Sequence, residues 1–183
     1  MLLRNRAPSI DAVPVTAAEG YEHLTASSIA VIGWLTASGV DFVLVGAVAR
    51  SVRGDSGARG PVAIVPAPYG RNLDRLAHAL SSARAQARSH GDLGAQASSG
   101  QPLKLAADML VRAQRWELRC GDHELDIEGR PDGAPSYQEL LYEAVRFRIS
   151  AEVSVEVAAP EDIEYYDHVR RTGVAPEMTV TRL

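Results

Sequence analysis

The chain has 183 residues, of which 46% are apolar and 23% charged, and its formal net charge is −4. This length favours one folded domain, and the composition is typical of an ordinary globular protein. The acidic balance argues against a large nucleic-acid surface, although a local basic patch stays compatible with it. Because no apolar run approaches the roughly 20 residues of a membrane span, we expect no membrane partner. The single cysteine, Cys120, excludes an intrachain disulfide, so we expect a buried thiol and a cytoplasmic, reducing location.

The first half of the chain shows clear boundaries between helices and strands. Residues 1–15 contain two prolines and no clear period, which predicts an extended N-terminal arm. Thr16 and Glu19 have the spacing of a capping box, which predicts a helix from Thr16 to Ser38. The elements predicted next are a buried strand over 40–45 (VDFVLV), a short helix over 46–53, a strand over 61–65 and an amphipathic helix over 72–87.

The second half predicts a strand pair followed by helices and further strands. Residues 88–101 have the composition of a loop, and residues 103–111 fit either a short helix or an edge strand. The remaining predictions are strands over 116–120 and 123–127, a helix over 136–144 with a Ser136/Glu139 capping box, strands over 145–149 and 153–157, and a helix over 160–171. Together they predict an α/β (α+β) domain over residues 16–175, built as a small mixed sheet flanked by helices, and a tail over 176–183.

Four segments of the chain carry a family pattern through their order and spacing. They are residues 35–80, GDHELD over 121–126, SYQEL over 136–140 and VAAPEDI over 157–163. In these segments the chain resembles the minimal nucleotidyltransferases of the toxin–antitoxin and abortive-infection type. The resemblance extends from about residue 25 to residue 171 and implies a nucleotidyltransferase-like fold.

The resemblance also implies where a catalytic site would lie. In that family two aspartates at i and i+2 on one strand, and a third carboxylate on a neighbouring strand, hold two Mg²⁺ ions. The ions stabilise the attacking and leaving oxygens of a phosphoryl transfer. Glycines after the first strand let the backbone approach the phosphates, and the last helix often carries a lysine, for which Asp167 or His168 stands here.

This sequence departs from the family at the paired aspartates. Aligning Gly46 and Gly54 with the pattern places Pro61 and Ala63 at the two aspartate positions. Residues 58–68 contain no carboxylate, so a small shift of this alignment does not restore the pair. Only the third carboxylate is retained, as Asp126, and the resemblance therefore implies a degenerate active site.

Acidic residues surround Asp126 in the sequence. Strand alternation puts His123, Leu125 and Ile127 on one face and the carboxylates on the other. These carboxylates are Asp122, Glu124, Asp126 and Glu128. Two interpretations stay open, a remnant metal or substrate site and a solvated strand face. Neighbouring carboxylates repel one another unless cations lie opposite, and Arg50, Arg53 and Arg59 are the candidates for that role.

The glycine-rich loop over residues 54–60 is a second candidate site. Its glycines and Arg59 suit an anion, but no Walker-type lysine follows, and an ordinary loop has the same composition. The predicted nucleotide- or phosphate-binding residues are Gly46, Arg50, Arg53 and Arg59. The predicted metal candidates are Asp126 and Asp55.

Three functions follow as hypotheses. The first is a nucleotidyltransferase-like protein that lacks activity and a cofactor, and binds a protein, a nucleotide or a nucleic acid. The second is an active Mg²⁺-dependent transferase that joins a nucleoside monophosphate to RNA or protein, with a rearranged site built from Asp55, Asp122, Glu124 and Asp126. The third is a structural subunit of a larger assembly. The second requires the carboxylate of Asp55 within about 4 Å of the metal-bridging side of Asp126.

Overall fold

The described part of the chain forms a mixed sheet flanked by helices, as predicted. A computed structural model describes residues 7–12, 16–88, 101–112, 115–130 and 134–173. Three predicted segments lie outside these ranges: the rest of the N-terminal arm, most of the loop over 88–101 and the tail over 176–183. In chain order the elements are α1 (Ala26–Ala37), β1 (Phe42–Val45), α2 (Gly46–Val52), β2 (Val62–Pro66), α3 (Gly70–Ser82), β3 (Gln86–Ala87), α4 (Ala107–Arg112), β4 (Arg115–Cys120), β5 (His123–Glu128), α5 (Tyr137–Glu143), β6 (Val145–Arg148), β7 (Ser154–Val157) and α6 (Pro160–Thr172).

The described strands form one sheet in the order β3-β4-β5-β2-β1-β7-β6. The β2–β5 and β1–β7 pairs are parallel, and the other pairs are antiparallel. β1 and β2 occupy the centre, and every residue of β1 is buried. This burial explains why β1 is a continuous apolar run rather than an alternating one.

The first helix begins later than predicted. α1 begins after Thr25, whose Oγ1 accepts the backbone N–H of Ser28 at 3.0 Å. The predicted start at Thr16 is wrong because this stretch bonds to the β6–β7 connection: Ala18 donates its N–H to the carbonyl of Ile149 at 2.8 Å. Gly20, with a φ of 89°, then turns the chain away from a helical path.

Two other boundaries differ from the sequence predictions, and one capping prediction is confirmed. α3 ends at Ser82 rather than at residue 87, because Arg84 has a φ of 53° and the following β3 pairs with β4. The undecided stretch over 103–111 contains the short helix α4. Ser136 and Glu139 form the predicted capping box at α5.

Residues 7–12, the described part of the predicted arm, pack against the domain. Ile10 is 8% exposed and belongs to the hydrophobic core. Asp11 contacts His123 at the beginning of β5. In the described ranges no helix is long and apolar enough to cross a membrane.

Candidate functional site: a buried carboxylate–arginine cluster

Carboxylates lie along one face of β5, next to charged residues of β4. Alternation along β5 places Glu124, Asp126 and Glu128 on the same face. Asp126 is completely buried and Glu128 is 8% exposed, whereas Glu124 reaches the solvent. A carboxylate removed from water is costly unless it is paired and hydrogen-bonded, so the partners of Asp126 and Glu128 decide the character of this face.

Three arginines from separate elements enclose Asp126. Arg88 follows β3 and donates through Nη2 to Oδ1 of Asp126. Arg115 begins β4, and Arg170 lies in the last turn of α6. The Nη2 atoms of Arg115 and Arg170 each lie 3.4 Å from Oδ2 of Asp126. Both oxygens of the carboxylate therefore face guanidinium groups.

The same arginines connect Asp126 to three further carboxylates. Arg170 donates through Nη2 to Oε1 of Glu128, and Nε of Arg115 lies 3.7 Å from that oxygen. Toward the rim, Arg88 contacts Glu124 at 2.9 Å and Arg115 contacts Glu117 at 2.9 Å. We call this group the Asp126 cluster; its described members are Arg88, Arg115, Glu117, Glu124, Asp126, Glu128 and Arg170. Three formal positive charges thus meet four negative ones within the described residues.

Burial and ion pairing act in opposite directions on the two buried carboxylates. Burial raises the pKa of Asp126 above its usual value, and the three arginines oppose that rise. Burial likewise raises the pKa of Glu128, against the effect of Arg170 and Arg115. The neighbouring Glu128 and Asp126 raise the pKa of Arg170, although burial opposes this. The arginine therefore keeps its charge, and the carboxylates depend on it to remain ionised.

Two small residues pack beside the cluster. Ala63 of β2 is the register partner of Asp126 in the parallel β2–β5 pair and is completely buried. Gly46 has a φ of 73°, and a Cβ added there would lie 3.0 Å from Cβ of Ala63 and 3.7 Å from Nη1 of Arg170. The guanidinium of Arg170 thus reaches Asp126 along a path bordered by Gly46 and Ala63.

The arginines predicted to balance the carboxylates are held elsewhere, so that part of the sequence prediction is wrong. Arg53 donates to the carbonyls of Ala158 and Val157 at 2.7 and 3.2 Å. Arg50 pairs with Asp167 at 3.1 Å. Arg59 donates to the carbonyls of Ser56 and Ala58 inside its own loop. A role for Gly46, Arg50, Arg53 and Arg59 toward a phosphate stays a prediction.

Two of the predicted acidic candidates do not join the buried carboxylates. Asp122 is exposed in the turn between β4 and β5. Asp55 accepts the N–H of Gly57 at 3.1 Å and lies 3.7 Å from Nε of Arg50. Over the described ranges, no group of three or more His, Cys, Asp or Glu side chains is arranged to hold a metal ion.

The interpretation of β5 as a solvated face is also wrong for Asp126 and Glu128, since both are buried. The arginines that cover them were missed by sequence reasoning. For Arg115 a signal existed: the two-residue turn Gly121-Asp122 sets the β4–β5 register and places Arg115 opposite Glu128. Arg88 and Arg170 come from distant segments, and no local pattern indicates their contact with Asp126.

Comparisons of the chain with protein-family models, with curated proteins and with solved structures find no match.

Proposed function

We propose that this chain is a nucleotidyltransferase-like protein without transferase activity, which acts by binding a partner. The observation that carries the proposal is the enclosure of Asp126. Both of its oxygens are occupied by guanidinium groups, and its register partner is Ala63 rather than a second carboxylate.

The arrangement of the central elements supports the likeness to that fold. A buried strand, β1, leads through Gly46 into the short helix α2, and a glycine-rich loop then leads to β2 and α3. Ala63 and Asp126, the positions that the resemblance assigns to the second aspartate of the pair and to the third carboxylate, are neighbours on adjacent strands. Arg170 of α6 also contacts Asp126, whereas the resemblance assigns the lysine position of this helix to Asp167 or His168.

The charges of the cluster support the lack of transferase activity. Mg²⁺ prefers oxygen ligands in near-octahedral geometry, and catalysis through two metals needs carboxylates on both strands. Here β2 offers a methyl group, and arginines supply the positive charge that ions would otherwise bring. The guanidinium groups would repel a divalent cation that approached Asp126, and the cation would have to displace them to bind the carboxylate.

No observation favours the active transferase with a rearranged site. Asp55 is occupied by Arg50 and Gly57, and Asp122 lies in an exposed turn. A protein partner is favoured over a nucleic acid, because the arginines at the predicted binding positions are engaged and the net charge is −4. A structural subunit of a larger assembly would also act by binding protein.

Calorimetric titration with ATP, GTP, CTP and UTP, each with and without Mg²⁺, tests the proposal. We expect no Mg²⁺-dependent binding of any triphosphate. Binding that requires Mg²⁺ and disappears in Asp126→Ala would contradict the proposal and lead to radiolabelled transfer assays. Circular dichroism must first show that the variant is folded, because Asp126 is buried among arginines.

A direct search for the partner complements the titration. The tagged chain is crosslinked in cells that express it, and the proteins bound to it are identified by mass spectrometry. We expect one protein in a fixed ratio to the chain. Recovery of nucleic acid alone, sensitive to nuclease, would contradict the choice of a protein partner.

A further inference from the structure

A serine, a histidine and an aspartate form a hydrogen-bonded chain at the beginning of α1. The Oγ atom of Ser27 lies 2.7 Å from Nδ1 of His123. The Nε2 atom of the same ring lies 3.0 Å from Oδ1 of Asp11. The three residues come from the N-terminal segment, the first turn of α1 and the beginning of β5, so tertiary packing alone assembles them.

This order of contacts gives each group a defined chemical role. A neutral His123 with its proton on Nε2 donates to Asp11 and leaves the lone pair of Nδ1 facing the hydroxyl of Ser27. The imidazole is then placed to accept the hydroxyl proton, while the carboxylate fixes the tautomer and stabilises the imidazolium that forms. Such a triad is defined by the roles of its groups. Here Nδ1 faces the serine and Nε2 faces the aspartate, which is the reverse of the usual arrangement.

The beginning of α1 adds hydrogen-bond donors beside Ser27. Ser27 is the second residue of the helix, after the N-cap Thr25 and Ala26. The N–H groups of Ala26 and Ser27 have no acceptor within the helix, whereas that of Ser28 is bonded to Thr25. Donors at a helix N-terminus favour a developing negative charge, which an acyl-transfer reaction places on the carbonyl oxygen.

A mainly apolar pocket of about 530 Å³ lies beside the segment that carries Asp11, and its lining contains neighbours of the triad but none of the three triad residues themselves. Ile10 and Ala12, on either side of Asp11, line it, and so do Ala30 and Trp34 of α1. These two helix residues follow Ser27 at i+3 and i+7, on the same stripe of the helix. The volume is within the range that holds small molecules, and its lining suits an aliphatic or aromatic chain.

We propose that Ser27, His123 and Asp11 form a hydrolytic site for carboxylic esters with an apolar acyl group. Ser27 Oγ attacks the carbonyl carbon while His123 accepts the hydroxyl proton. The alkoxy oxygen then leaves with that proton as an alcohol, and the acyl group remains on Ser27. Water attacks the acyl ester with His123 as base, which releases the carboxylic acid and restores the serine.

This site is independent of the Asp126 cluster. His123 and Asp126 are three residues apart on β5 and therefore face opposite sides of the sheet. The loss of one site would leave the other in place, so failure of the ester chemistry and failure of the proposed partner binding are distinguishable.

Two measurements on the full chain test the site. The first is labelling with an alkyl fluorophosphonate. We expect peptide mass spectrometry to find the label on Ser27. The second is hydrolysis of p-nitrophenyl butyrate, which should fall about 100-fold or more in Ser27→Ala and in His123→Gln. Ser82→Ala, which removes an exposed hydroxyl at the end of α3, is the matched control and should change neither result.

Circular dichroism and thermal unfolding establish that each variant is folded before its rate is compared. Labelling of the wild-type chain needs no variant, so the test stands even where a substitution unfolds the protein. Absence of fluorophosphonate on Ser27 in the wild-type chain would overturn the proposal. So would hydrolysis that persists unchanged in folded Ser27→Ala. A purely structural triad would give both of these results.

Discussion

Ala63 of β2 and Asp126 of β5 are register partners on adjacent parallel strands, and both are completely buried. A methyl group thus lies beside a carboxylate that has no access to water. The charge of Asp126 is balanced by guanidinium groups that reach it from three other elements. This side of the sheet is therefore held by ion pairs, and its stability depends on arginines that are distant in the sequence.

Replacing Arg170 with alanine should destabilise the fold strongly. The change removes a guanidinium from the buried carboxylates of Asp126 and Glu128 and leaves both with less compensation. Because breaking a buried pair by removing one partner is costly, we expect a loss of about 3 kcal/mol in the free energy of unfolding, measured with urea. Arg171→Ala, one residue further on and exposed, is the matched control and should cost less than about 0.5 kcal/mol. Equal effects of the two substitutions would refute the importance of the cluster.

The stability contributed by Asp126 should depend on pH in a definite direction. Its folded-state pKa is raised by burial, so this group stabilises the fold fully below its unfolded pKa and less as pH rises through the folded pKa. The unfolding free energy of the wild type minus that of Asp126→Asn should therefore increase as the solution is acidified from neutral pH. Urea denaturation of both proteins across the acidic range measures this difference. A decrease on acidification would mean that the arginines outweigh burial.

A side chain at Gly46 should be poorly tolerated. Its φ of 73° strains any L-residue, and an added Cβ would meet Cβ of Ala63 at 3.0 Å. We expect Gly46→Ala to cost about 2 kcal/mol or more in unfolding free energy. Gly70→Ala is the control, since a Cβ at Gly70 meets nothing within 4 Å and its φ is not positive. At Gly70 the substitution should be neutral or slightly stabilising, because alanine lowers the entropy of the unfolded chain, so a loss of the same size there would contradict crowding at Gly46 as the cause.

The thiol of Cys120 should be unreactive in the folded protein. Cys120 is completely buried, and burial raises its pKa to about 12. Thiolate is the reactive form, so iodoacetamide should not modify the native chain at neutral pH and should modify it fully in denaturant. Mass spectrometry of the intact protein measures both. Rapid modification under native conditions would place the thiol at the surface, contrary to the packing of β4.

Local patterns determined much of the secondary structure. The run VDFVLV over 40–45 predicted β1, because a strand buried on both faces needs continuous apolar side chains. Ser136 and Glu139 predicted the beginning of α5, since both capping bonds join residues three positions apart. Alternation along β5 correctly predicted that Glu124, Asp126 and Glu128 share a face. Each of these signals acts over a few residues and can be recognised without knowing the rest of the fold.

Only the tertiary structure decided the environment of those residues. The capping pattern of Thr16 and Glu19 did not begin a helix, because the backbone there bonds to the β6–β7 connection instead. Alternation could not show that Asp126 and Glu128 are buried, since Arg88 is 38 positions from Asp126 and Arg170 is 42 positions from Glu128. Ser27 and His123 are 96 positions apart and are joined only because α1 packs on β5. Sequence patterns thus determined which residues share an element and a face, whereas the packing of elements determined which charges and hydroxyls meet, because those contacts depend on long-range geometry.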